Sequence, residues 1–256
     1  MGKERIKRAP KQNEYFGKGK GGNYFNGSRD PRSQNFIISG GESTELWYFR
    51  HLTRLTYYKF EIEPKYFGNE SGYHNDFPKI IKSILRNSPN AKVFCVFDFD
   101  TIKFDKTNQK HYQDFLKSIK DYIRNGSVEI CISMPSFEDW FLLHFENYKN
   151  LLKTCDDTIK RLKKYIPDYS KNSTQLSNPQ WVAELCADGK LGKAIKLSRV
   201  HIEKALQDGI IDEQSYSYVW KVFDTISVAR QMKADKLPVS QIISMTGLSE
   251  EEVGNL

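Results

Sequence analysis

Residues Lys92 to Thr101 read KVFCVFDFDT. The apolar run from Val93 to Phe97 is continuous, not alternating, which predicts a strand covered on both faces, as in a parallel sheet. It ends in two acids one residue apart, Asp98 and Asp100. Upstream, NFIIS (35–39) is a short β-type run that stops at Gly40-Gly41. In the next stretch, ESTELWYFRHLTRL, Leu46, Phe49, Leu52 and Leu55 recur at helical spacing. TYYKFEIEP (56–64) alternates like a strand, and FPKIIKSILRN from Phe77 is an amphipathic helix. Downstream lie a charged helix over about 108–124, the strand VEICIS, and a helix starting at Ser136. Strands alternating with helices predict an α/β fold with a mainly parallel sheet. The ligand site of such a sheet lies beyond the carboxyl ends of its strands.

At 256 residues with 39% hydrophobic content, the chain can build one sizeable core. No stretch approaches the roughly 20 apolar residues of a membrane span, so a cytoplasmic protein with no membrane partner is expected. Cys95, Cys131, Cys155 and Cys186 show no metal-binding or disulfide spacing and read as small core residues. The net charge is +7, and most of it sits in residues 1–34, where nine Lys/Arg face three acids. That tail is glycine-rich and nearly free of aliphatics, which predicts disorder. NEYFG at Asn13 and NYFNG at Asn23 interleave aromatics with lysines such as Lys18 and Lys20. This composition suits stacking on unpaired bases as well as a merely solvated tail.

Asp98 and Asp100 end the strand, and residues two apart in an extended chain share one side. Close carboxylates repel, and a divalent cation is the usual remedy. Glu42 and Glu45 follow the first strand and Glu138 follows the fourth, so five acids from three loops are expected at one edge. Such an oxygen-rich set suits Mg²⁺ or Mn²⁺. Structural roles compete: Glu45 would also favour its helix N-terminus with Ser43 or Thr44 as cap, and Glu138 lies close to a capping position after Ser136. Lys103 could meet a phosphate or simply be solvated. Asp105 is a candidate outer acid, His144 reads as a packed histidine, and Trp47, Trp140 and Phe141 read as core.

Three blocks, IISGGESTELWYF, VFCVFDFDT and ISMPSFEDWFLLHF, carry a resemblance over about residues 35–147. They resemble the RloB-like family, which is itself similar to Toprim domains. The resemblance implies a Toprim-like sheet flanked by helices and a Mg²⁺-dependent endonuclease acting on DNA or RNA in bacterial anti-phage defence. An AAA- or ABC-type ATPase partner is implied as well. By position, Glu42 and Glu45 match the acidic turn, Asp98 and Asp100 the Asp-x-Asp, and Glu138 with His144 the third block. Glu42, Asp98 and Asp100 are then the expected metal ligands and Glu42, Glu45, Asp98, Asp100 and Glu138 the catalytic set. Which of Glu42 and Glu45 is ligand or base stays open. Met134 stands where Asn is usual, Asp139 where an apolar residue is common, and Gly40 where many Toprim relatives carry a first glutamate. The competing reading is a catalytically degenerate nucleic-acid- or nucleotide-binding regulatory subunit; a receiver-like phosphotransfer domain lacks its lysine at the VEICISMP strand. Self-association into a homo-oligomer is left open.

The expected organisation is a basic tail (1–34), a catalytic domain (35–150), a helical extension (151–225) and a small helix-turn-helix-like tail (226–256). In the last, Ser240 and Ser249 are candidate caps and Gly247 the turn. Glu250 to Glu252 make its second helix acidic, wrong for a major-groove recognition helix.

Overall fold

The computed structural model describes residues 34–40, 43–63, 75–148 and 150–256. The elements that build the sheet are β1 (Asn35–Ser39), α1 (Thr44–Leu55), β2 (Glu61–Glu63), α2 (Phe77–Asn87), β3 (Lys92–Asp98), α3 (Asp100–Phe104), α4 (Lys106–Arg124), β4 (Val128–Met134) and α5 (Glu138–Leu142). Then come α6 (Cys155–Leu162), α7 (Ser173–Ser177), α8 (Gln180–Cys186), α9 (Lys190–Gln207), β5 (Tyr216–Ser217), α10 (Thr225–Ala234), α11 (Val239–Thr246) and α12 (Glu250–Gly254). The strand order is β2-β1-β3-β4-β5. The first four strands run parallel and β5 pairs antiparallel with β4 through Ser133–Ser217 and Met134–Tyr216. The fold is α/β with a mainly parallel sheet and a helical C-terminal region, as the sequence predicts.

The apolar run of β3 explains the layering. Its side chains alternate: Phe94 and Val96 enter one core, Val93, Cys95 and Phe97 the other. The first core is formed with Tyr48, Phe49, Trp140, Phe141 and Leu185, the second with Phe77, Ile81, Phe115 and Ile119. Each such side chain contributes roughly 1.5–3 kcal/mol on burial, which fixes β3 as the centre of the sheet. Cys95 and Cys131 are buried in it, and all four cysteines are free thiols. Residues on both sides of position 150 share the first core, from Ile37 to Phe223, and Ser33–Leu256 form one compact unit.

Several local expectations are corrected. The strand expected over 56–64 is confined to Glu61–Glu63 among the described residues. The end of the expected helical extension is not all helix: it holds β5 and a short 3₁₀ turn before α10, because a two-residue strand has no periodicity to read. Within the helical extension, Asp188 (φ 54°) and Gly189 (φ 75°) separate α8 from α9. Ser240 is not a cap, since α11 starts after Pro238. Ser249 does cap α12, in a capping box with Glu252, and Gly247 turns at φ 72°. The tail region with Lys18 and Lys20 lies outside the described residues, as does Glu42. No helix among the described residues is long and apolar enough to cross a membrane.

Candidate active site

The carboxyl ends of β1 and β3 are adjacent, and the chain leaves them toward opposite sides of the sheet, the switch point where α/β proteins hold ligands. Three acids meet there. Glu45 is in the first turn of α1, Asp98 is the last residue of β3, and Glu138 is the first of α5. Glu45 and Glu138 are buried. Phe137 N–H donates to Asp98 Oδ1 at 2.8 Å, locking the end of β3 to the start of α5.

Burial, then repulsion from Glu45 and Glu138, pushes the Asp98 carboxyl well above the usual range. Burial likewise lifts Glu45 to about 7, with Glu138 adding to the rise. Glu138 goes the other way. Burial alone would raise it, yet Lys171 and bonds from Ser136 and Tyr169 hold it below the usual value. Lys171 Nζ stands 3.0 Å from Glu138 Oε1, which also accepts from the Tyr169 hydroxyl at 2.9 Å. Oε2 accepts from Ser136 Oγ at 2.8 Å and from Cys155 Sγ at 3.4 Å. Ser136 is therefore a donor to the carboxylate, and the expected cap is absent: Phe137 is at the N-cap position of α5 with no side-chain bond.

Lys171 and Tyr169 come from the irregular stretch between α6 and α7. Ser170 N–H binds Gln175 Oε1 at 2.6 Å, and Asn172 caps α7 by accepting from Gln175 N–H at 2.7 Å. These bonds fix the backbone on either side of Lys171, while the Tyr169 ring packs edge-on against Phe141. Nothing in residue spacing marks this pair; the only sequence signal is a Tyr and a Lys in an otherwise polar loop.

Asp100 follows past the end of β3, as the first residue of α3. The chain turns helical at Phe99 (φ −113°, ψ −7°), so Asp98 and Asp100 do not share an extended strand, and Asp100 Oδ1 accepts from Thr101 N–H at 2.6 Å at the start of α3. Asp105 is the N-cap of α4, bound by Asn108 N–H at 2.8 Å. Lys103 Nζ is held by Asp212, 3.0 Å from its carboxylate and 2.9 Å from its carbonyl. Gly40 donates to Val96 O at 3.0 Å, and a Cβ there would stand 3.2 Å from Phe97 Cβ, so a side chain at this position would press on β3. His144 is buried, bonded through Nδ1 to Trp140 O at 3.0 Å, and burial drives it down to about 3. Trp140 and Phe141 are fully buried as expected, and Asp139 is buried beside them with Oδ1 unpartnered.

Next to Asp98, an open groove of about 710 Å³ runs along α3 and α4, lined by Phe99, Tyr112, Lys103, Lys106 and Lys110. The sequence pattern of the RloB-like protein family matches residues 35–226. The chain belongs to the RloB-like family. The match takes in Asp98, Glu138, Tyr169 and Lys171, so the RloB-like region extends well past the blocks that carry the resemblance. Neither a curated protein nor a solved structure matches the chain.

Proposed function

We propose that this RloB-like protein is a metal-dependent nuclease that hydrolyses phosphodiester bonds of DNA or RNA in bacterial anti-phage defence. The observation that carries the reading is the meeting of three carboxylates at the switch point of the sheet, with Asp98 and Glu45 raised by burial and by neighbouring acids. Such a pair gains from a cation. Among the described residues no three His, Cys, Asp or Glu side chains form a ready-made metal cage. Mg²⁺, however, is commonly held by one or two carboxylates with water and phosphate completing the shell. Glu45 and Asp98 fit that requirement and would hold the ion.

When bound, Mg²⁺ or Mn²⁺ would polarise the phosphate and lower the pKa of an attacking water. The chain's own groups supply the rest. Phe137 N–H orients Asp98, Lys171 keeps Glu138 ionised, and the groove lysines Lys106 and Lys110 attract the nucleic-acid backbone. An ATPase partner and a defence role rest on the family resemblance alone.

A second reading, a degenerate regulatory subunit, is favoured by Gly40, where no acid stands and a side chain would crowd Phe97. One experiment separates them. Purified protein and its Asp98→Asn variant are incubated with plasmid DNA and with total RNA in Mg²⁺, Mn²⁺ or EDTA. Cleavage by the parent that EDTA and Asp98→Asn both abolish is the expected result. Cleavage unaffected by Asp98→Asn, or none in either metal, overturns the proposal.

A further inference from the structure

Glu138 is the least available of the three carboxylates. An ionised carboxylate offers about four lone-pair positions, and here each oxygen already takes two donors: Tyr169 and Lys171 on Oε1, Ser136 and Cys155 on Oε2. Its side chain is fully buried, so no water completes its shell from outside. A divalent ion would reach it only by displacing one of these partners. Asp98, by contrast, accepts one bond among the described residues, from Phe137 N–H on Oδ1.

The partner on Glu138 is already a cation. Lys171 Nζ lies 3.0 Å from Oε1 and 3.2 Å from Cys155 Sγ, and its side chain is 43% exposed while Glu138 is 0% exposed. The ammonium thus plugs the buried acid from the solvent side. An ammonium has three N–H donors and is a compact point charge; the contacts to Glu138 and Cys155 use two of them.

We infer that Lys171 is the second cation of this site, so that the chain takes up one divalent ion, on Asp98 and Glu45, where a two-metal centre would hold two about 4 Å apart. The inference rests on the metal-dependent reading above and adds to it a stoichiometry and a positioning residue. Lys171 supplies fixed positive charge beside the ion, with its remaining donor directed to a phosphate oxygen of the substrate.

Metal binding tests this without any cleavage assay. The full chain is titrated with Mn²⁺ alone, and free Mn²⁺ is followed by electron paramagnetic resonance. One ion is expected on the parent and on Lys171→Arg, which keeps the charge. Lys171→Met frees Oε1 of Glu138 and is expected to bind a second ion; if it fails to fold, Lys171→Gln serves in its place. Two ions on the parent, or a count unchanged in the neutral variants, overturns the inference while leaving the metal reading intact. No ion on any of the proteins overturns both.

Discussion

Tyr169 donates its hydroxyl to Glu138 Oε1 at 2.9 Å, joining a loop after α6 to the first residue of α5. Both groups are buried. Burial and the neighbouring Glu138 hold the phenol well above its ordinary pKa, so it remains a donor throughout the working pH range. Tyr169→Phe leaves part of a buried carboxylate unsatisfied and is expected to cost about 2 kcal/mol. Urea denaturation at neutral pH measures this, and an unchanged midpoint would mean that Lys171, Ser136 and Cys155 suffice to hold Glu138 without the phenol.

The metal-free protein is expected to lose stability as pH rises. Glu45 titrates near its ordinary 4.5 when unfolded and near 7 when folded, so between these values the folded state binds more protons. The cost is absent below the lower value, grows through the window and is complete above the upper one, amounting to about 3 kcal/mol. Asp98, also raised, adds in the same direction. Denaturation in EDTA at about pH 5 and about pH 8 should show the decline, and Glu45→Gln should make it shallower. A slope equal in parent and variant would remove Glu45 from the buried cluster.

Asp98 and Asp100 are expected to behave differently despite their spacing. Asp98→Asn removes a charge repelled by Glu45 and Glu138, so it should raise the melting temperature of the metal-free protein while abolishing Mn²⁺ uptake. Asp100→Ala should cost about 0.5–1 kcal/mol through the lost bond to Thr101 N–H and leave Mn²⁺ uptake in place. Calorimetry of both variants with and without Mn²⁺ decides; loss of uptake in Asp100→Ala would return it to the site.

Gly192 and Gly247 set how closely α11 lies on α9. A Cβ on Gly192 would stand 2.6 Å from Gly247 N and from Ser244 O, backbone atoms with no side chain to swing aside. Gly192→Ala is expected to destabilise the protein by about 1–3 kcal/mol with Mn²⁺ stoichiometry unchanged. A melting temperature equal to the parent's would show that the two helices separate at no cost.

The layout of the sheet and the meeting of Glu45, Asp98 and Glu138 were legible because both follow from periodicity. A doubly covered strand fixes β3, and the edge rule places whatever follows each strand. The extended geometry expected to put Asp98 and Asp100 on one side ends at Phe99, and a strand gives no warning of where its chain bends into a helix. Lys171 and Tyr169 were invisible for a different reason. They sit in an aperiodic loop, and their role depends on a contact across 31 or more residues that no local pattern encodes. The same holds for β5, whose two residues are too few to alternate.

The order in which the parts occur along the chain bears on synthesis. All three clustered acids are in place by Glu138, but the lysine that neutralises one of them comes at 171 and the strand that closes the open edge of β4 at 216–217. A nascent chain that has emerged only to the end of α5 therefore carries the acids without their counter-charge, beside an unpaired strand edge. The assembled centre arises only once the helical region has followed, so a truncated translation product would be an incomplete and adhesive fragment, not a working miniature of the protein.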